Sequence, residues 1–546
     1  MVTDKVTIAE VVEVCHGVRH HISYNAQDCS IKVMKCVIDD SEIVKKMSCG
    51  RTKASAIVNN VLQPLALEVV LDKLQSGLPF AVATDASNKG NRKLFPVGVR
   101  FFTPSDGITS AIVDFYEDAF EDSRSVKQHL CRVLEGHRLS WKSVSSYAAD
   151  NASVNYGVNN SVYQKLIAEE NSEIIAAHCN DHILHNCAKN ALKVLSFDVE
   201  NLVLKVFSEF SNSAMRRQKL KDCFEFYESE FREVIRHVPT RWLSLFRALD
   251  RILLSWMPLK TYFLSRGEED CPKYVWTFLK DQVSEVAPED HPTERELYMY
   301  FVHFFMASFQ EIILKMEGKS VTSCDLFAIM DQFRKALTNK VDDNFFGMKV
   351  KMAIWKNYLP QPAVEKFKCE ALAVYRRAID YLQKWFKFDN SPYRHFSALS
   401  IHSASKPPTL DDILEIWMQT PLKEKAPPDS LHDEVKALEE VYESVRAAGS
   451  TVDGWCKFFQ KEHAPYLLEL VQYVLSIPVS NAAIERVFSV MANLWSDERN
   501  RLTVESVRSE LMIFFNLSYS CQEFKDIVSK NRRLINAARS DSKYHK

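Results

Sequence analysis

The sequence predicts an α/β protein, a mixed-sheet core interrupted by a large all-helical insertion. Three observations carry that expectation. Residues 78–117 hold three apolar, β-branched and aromatic runs, LPFAVATDAS, LFPVGVRFFT and ITSAIVDFYE, parted by the turn signals NKGNRK and PSDG. Helical and strand-like segments then alternate to residue 179, giving the order βββαβαβα. From residue 183 to about 400 helical periodicity prevails, and glycine is scarce, 13 in 546 residues, which favours helices over glycine-turned sandwiches.

Residues 1–76 read as a helical N-terminal region, clearest in KASAIVNNVLQPLALEVVLDKLQ, where Pro64 is placed to kink or break the helix. Residues 77–200 form the first part of the core. They comprise the three-strand meander, a helix in SRSVKQHLCRVLEGHRL, a fourth strand in SVSSYAADNAS, a helix near NNSVYQKLIAEEN and a short fifth strand, EIIAAHC. Residues 201–450 form the helical insertion, with breaks expected at Pro239, Pro258, APEDHP (287–292) and LPQPA (359–363). A polar, proline-rich stretch between 403 and 430 reads as a boundary. Residues 451–520 supply the final core helices, and residues 521–546 a basic tail.

A formal net charge of −2 excludes a global field that would attract nucleic acid, so any DNA contact has to come from local patches. MRRQKLK (215–221), RHVPTRWLSLFRALDR (236–251), YRRAIDYLQKWFK (375–387) and KNRRLINAAR (530–539) interleave cations with aromatic or apolar residues, although solvated helix faces look the same. Thirteen cysteines without a C-x-x-C pair argue for a reducing compartment. No secretory segment opens the chain and no uncharged apolar run approaches the roughly 18–20 residues of a membrane span, so the expectation is cytosol or nucleus and no membrane. The cysteines and histidines between Cys15 and Cys49 fit no zinc spacing, and read as buried thiols and surface imidazoles.

Asp85 closes the first strand on the face of Ala81 and Ala83, whose small side chains leave room before it. Asp150 closes the fourth strand in the same way. Taken singly, each is a turn former or helix cap; taken together, two strands ending in aspartates can present hard oxygen ligands at one sheet edge. In SIPVSNAAIERVFSVM (476–491), Ser480 or Asn481 is the expected cap, and Ile484, Val487, Phe488 and Met491 form a helical stripe. Glu485 falls at the stripe's edge, where a half-buried acid is expected.

These motifs resemble those of hAT-superfamily DNA transposases. The resemblance is strongest over residues 455–515, with its E-R-x-F-S core in IERVFS and its R-N-R-L segment; ATDAS, AADNAS, HCNDHILHNCAKNAL and TRW agree as well. It implies an RNase H-like core in which Asp85, Asp150 and Glu485 are catalytic and hold two Mg²⁺ or Mn²⁺ ions, roughly 3.5–4 Å apart, for phosphodiester cleavage and strand transfer. It further implies that Cys179 and His182, matching a C-x-x-H motif, buttress the site, and that Trp242, beside Arg241, stacks on a DNA base. Zinc on Cys179, His182, His185 and Cys187 is the alternative for that cluster. The implied partners are DNA and a second copy of the chain, as a homodimer or higher homo-oligomer through residues 455–516, in the nucleus. After Asp85 the chain reads ASNKG where many members carry W-T-S, and no BED-type zinc finger is recognisable. The alternative reading is a catalytically silent, domesticated DNA- or chromatin-binding protein that self-associates.

Overall fold

The structure, a computed structural model, describes residues 2–238, 244–279, 292–318, 320–356, 359–402, 404–496 and 499–544. The chain forms two compact units. The first comprises Met1–Cys179, Thr322–Cys324 and His395–Lys546, the second Asn180–Val321 and Asp325–Arg394.

The first unit is built on a six-stranded mixed sheet of β1 (Phe80–Thr84), β2 (Ser87–Lys89), β3 (Arg92–Thr103), β4 (Gly107–Glu117), β5 (Val144–Ala149) and β6 (Ile175–His178). Strand β3 pairs antiparallel with β4 along one edge and with β2 and β1 along the other. Strand β5 lies parallel to β1, and β6 parallel to β5. The meander followed by two parallel strands is the expected core; the three-residue β2 is additional. Pro96, deep inside β3, falls between the stretch paired with β2, which ends at Leu94, and the stretch paired with β1, which starts at Val97. The ladder is already interrupted there, and Thr84 Oγ1 donates to the Pro96 carbonyl at 2.9 Å instead.

Phe80, Val82, Val97, Val99, Phe101, Tyr147 and Ala149 pack in one core with residues of helices Ser123–Gly136 and Val162–Glu169. Helices Pro465–Ser476, Ala482–Leu494 and Val504–Asn516 also pack on the sheet, against β1, β3, β4 and β5. Leu470, Val474, Val487, Leu494, Val507 and Leu511 are fully buried in this unit. The apolar stripes of 455–516 are therefore spent within the chain, and a surplus of apolar surface is no argument for a dimer.

Pro64 neither breaks nor ends its helix. Arg51–Ile57 continues through a π-turn, Val58–Leu62, into Gln63–Leu74, with the Gln63 N–H donating to the Val58 carbonyl. The wider turn accommodates a residue that has no N–H to give. Residues 521–544 of the basic tail are also folded: helix Arg532–Arg539 lies against Val2–Arg19, with Arg532 and Arg539 paired to Asp4.

The second unit is all-helical among the described residues. Its long helices Glu294–Met316 and Gln361–Phe386 enclose an aromatic core of Phe301, Phe305, Phe309, Phe346, Phe367 and Tyr375. The prolines open helices rather than only breaking them: Pro258 sits in the first turn of Trp256–Ser265, and Pro360 and Pro362 start Gln361–Phe386. Pro239 and residues 287–291 lie outside the described residues. The unit is shorter than the 201–450 read from the sequence. At its start the first helix follows β6 directly, and at its end residues 395–450 are packed into the sheet unit. There the Glu434 carboxylate accepts the Leu467 and Tyr466 N–H groups at 2.7 and 3.3 Å, capping helix Pro465–Ser476. Within the supposed boundary stretch, Thr409 and Asp412 form a capping box for Leu410–Met418.

Two helices, Arg51–Leu74 and Glu294–Met316, are long and apolar enough to cross a membrane by length and composition. Each contributes residues to the packed core of its unit: Ile57, Val58 and Leu62 in one, Phe301, Phe305 and Phe309 in the other.

Candidate active site

Asp85 directly follows β1 and Asp150 directly follows β5, and these strands are parallel neighbours, so both carboxylates leave the sheet at the same edge. Each is half-buried. The Ala86 N–H donates to Asp85 Oδ1 at 2.8 Å. Asn155 Nδ2 donates to Asp150 Oδ1 at 2.6 Å, and the Ala152 N–H to the same oxygen at 3.3 Å. The turn after each strand thus holds one carboxylate oxygen, while the other faces no protein donor among the described residues.

Glu485 lies in the first turn of helix Ala482–Leu494, which Gly98 seats on β3. A Cβ at residue 98 would stand 2.3 Å from Ile484 Cδ1, so any larger residue there would displace the Ile484 side chain, at a point where the β3–β4 register is also bulged. Ile484, Val487 and Met491 are buried as their spacing predicts, with Phe488 partly so. Glu485 itself is exposed rather than half-buried: it points away from the stripe's packed side, toward solvent.

Asn481 is the helix cap by position but not by chemistry. Its side chain makes no capping bond; Nδ2 reaches the Thr84 carbonyl at 3.1 Å, one residue before Asp85. Its backbone N–H donates to Cys179 Sγ at 3.3 Å, and that sulfur lies 4.0 Å from Glu485 Oε1. One buried asparagine therefore ties the start of the Glu485 helix to the ends of both β1 and β6.

The electrostatics report the same convergence. Burial pushes the Asp85 carboxyl up to about 7; the Ala86 N–H opposes that, and the charges of Asp150 and Glu485 add to it. The charges of three carboxylates thus meet at one edge. Such a set suits a hard divalent ion, whose charge relieves the mutual repulsion and whose preference is for oxygen.

Asn155 accepts from the buried Tyr147 hydroxyl at 2.8 Å while donating to Asp150. Asn151 donates to the Cys179 carbonyl at 2.8 Å. Reasoning from sequence singled out neither of these nor Asn481 as a support. The signal available was asparagine, a turn and cap former, recurring just after one acid and just before another.

Cys179 is buried beside the acids, whereas His182 belongs to helix Asn180–Leu192 of the second unit. On that helix the Cys187 thiol donates to the Ala378 carbonyl at 3.4 Å in the helix packing, which removes it from a zinc set. Burial, with the nearby His182 charge, lowers His185 to about 4. Arg241 and Trp242 lie outside the described residues. Most of the basic patches are internally paired: Arg216 with Glu209, Arg217 with Glu233, Arg533 with Glu68, and Arg377 with the Asn190 side chain. They are chiefly solvated helix faces.

Residues 449–517 match a family model described as the hAT family C-terminal dimerisation region, which covers helices Thr451–Phe459 through Val504–Asn516. No curated protein matches the chain. With a region of that kind forming the last helices of a mixed-sheet core, and a helical unit inserted before them, the match supports a hAT-family transposase or a protein derived from one.

Proposed function

We propose that the protein binds DNA and cleaves and joins its strands by phosphodiester transesterification at Asp85, Asp150 and Glu485. The observation that carries this reading is geometric: Asp85 and Asp150 end the parallel neighbours β1 and β5 at one sheet edge, with Glu485 near enough for its charge to act on Asp85. A structural acid is ordinarily given a cationic partner, whereas the charges that act on Asp85 are those of two more carboxylates.

The three carboxylates fit a pair of Mg²⁺ or Mn²⁺ ions, and Asp85 and Asp150 would offer the oxygens that their own turns do not hold. When bound, such ions lower the pKa of an attacking water or 3′-hydroxyl and stabilise the departing oxygen. The protein's part is to fix the acids beforehand. The Ala86 N–H orients Asp85, the Tyr147–Asn155 relay orients Asp150, and the Asn481 bridge orients the helix that bears Glu485. Cations stand close by in the chain for the substrate's phosphates. Lys89 and Arg92, on the hairpin after Asp85, lie over the Trp495 ring at 5.7 and 5.4 Å, and Arg486 is exposed beside Glu485. The C-terminal region supports self-association, and we assign it to a homodimer.

Strand nicking of a duplex with Mg²⁺ or Mn²⁺, compared between the protein and its Asp150→Ala variant, tests this. Nicking by the parent and none by the variant is expected. Equal activity, or none in either, would leave the catalytically silent, DNA-binding reading.

A further inference from the structure

A second site lies in the first unit, away from any residue assigned above. A pocket of about 590 Å³ is bounded by the starts of helices Tyr24–Val37, Arg51–Leu74 and Val504–Asn516, and by the R-N-R-L segment. Among the described residues three arginines line it, Arg51, Arg499 and Arg501, and no aspartate or glutamate does. We propose that this pocket binds the phosphate of a nucleotide, free or within a DNA strand.

Four features converge on that chemistry. Arg51 and Arg501 are exposed and have no ion-pair partner among the described residues. Arg499 is held rigid from behind: its Nη2 donates to both oxygens of the fully buried Glu510, at 2.8 and 3.1 Å, leaving Nη1 buried with no partner. A guanidinium oriented this way keeps a donor in reserve for an acceptor that the protein does not supply. Among the described residues Glu510 offsets the charge of Arg499, while Arg51 and Arg501 keep theirs for a phosphate, and three helix N-termini add their positive ends. Lys543, also at the pocket, is already committed, its Nζ donating to the Arg539 and Ser540 carbonyls.

Features beyond charge favour a nucleotide over a bare anion. Asn59 Oδ1 is a buried acceptor without a donor, which suits a base N–H or a sugar hydroxyl. The Tyr544 ring, at the rim and 41% exposed, is covered on one face by Lys543 Nζ at 4.3 Å, which leaves its other face for a base to stack on. The volume lies in the range that encloses a molecule of this size, roughly 300–1,000 Å³.

The full chain can be titrated with inorganic phosphate, a deoxynucleoside monophosphate and a short single-stranded oligonucleotide, following heat or fluorescence anisotropy. The Arg51→Ala/Arg501→Ala double variant and Arg501→Lys are measured alongside, with thermal melts of each. Neither arginine supports the fold, so melting should not change. The mononucleotide or the oligonucleotide should bind at least about tenfold more tightly than inorganic phosphate, and the double variant should lose about tenfold or more, with Arg501→Lys in between. Binding of the oligonucleotide alone identifies a strand as the source; binding of the mononucleotide identifies the free ligand. Binding that ignores both arginines, equal affinity for phosphate and nucleotide, or no binding of any probe would overturn the proposal. A failure here leaves nicking by the three acids untouched, because none of these residues belongs to that site.

Discussion

Two buried acid environments in the first unit have opposite fates. Glu510 is fully enclosed, yet Arg499 neutralises it and the Tyr24 hydroxyl donates to it at 2.8 Å; burial raises its pKa and both partners pull it back down. Asp85 is less enclosed, but the charges nearest it are two more carboxylates, and the one donor it receives is a backbone N–H. The first arrangement is how a protein keeps a charge inside for structure. The second leaves a buried acid facing two like charges, and that difference separates a scaffold acid from a working one.

Removing the scaffold acid should have the largest effect. Glu510→Ala leaves Arg499 buried and unpaired and is expected to cost about 3–5 kcal/mol, read from denaturant unfolding. A loss below roughly 1 kcal/mol would show that Glu510 is no more anchored than Asp85.

Next is the seat of the Glu485 helix. Gly98→Val crowds Ile484 at the helix seat, with an expected cost of about 3 kcal/mol and a lowered nicking rate. An unchanged nicking rate would break the link between that seat and the acid cluster.

Asp85→Asn sharpens the comparison most directly, because it should stabilise. The folded-state pKa of Asp85 is about 7, against an ordinary 3.8. Between those values the folded protein keeps a proton that the unfolded chain has lost, so stability falls as pH rises. The variant escapes this. In chelator its melting advantage should be absent near pH 4, grow through the interval and level off above pH 7, reaching about 2 kcal/mol once partial solvent access is discounted. A flat difference would mean that neither burial nor the neighbouring acids raise Asp85 in the folded state. The smallest effect is expected from Asn155→Ala, about 1 kcal/mol in stability, with a fall in nicking rate at saturating DNA rather than in DNA affinity.

Much of this core is legible in the sequence because strand alternation is local. Ala81, Ala83 and Asp85 share a face by parity alone, and the apolar spacing around Ile484 and Val487 announces a packed helix. What is not legible arises between distant segments. Asn481 reads as a cap, since nothing near it in sequence reveals that its amide crosses to Thr84. Gly98 reads as a weak point in a strand until Ile484 is found against it. Glu485 reads as half-buried because helical angle fixes which side a residue occupies, while its exposure depends on what the sheet leaves uncovered. The insertion's limits were missed for a similar reason: residues 395–450 are helical like the insertion, and only the Glu434 cap and its neighbours show which unit they join.

The splitting of the sheet unit around the inserted helices carries a cost during synthesis. Glu485 follows Asp150 by 335 residues (485 − 150), roughly 20 to 70 s at the usual 5–20 residues per second of translation. Until then the strands emerge from the ribosome with the β3 and β1 surfaces that receive the late helices bare to solvent. A nascent chain in that condition is a client for chaperones that shield apolar sheets, and slowing elongation within the insertion should lengthen its dependence on them.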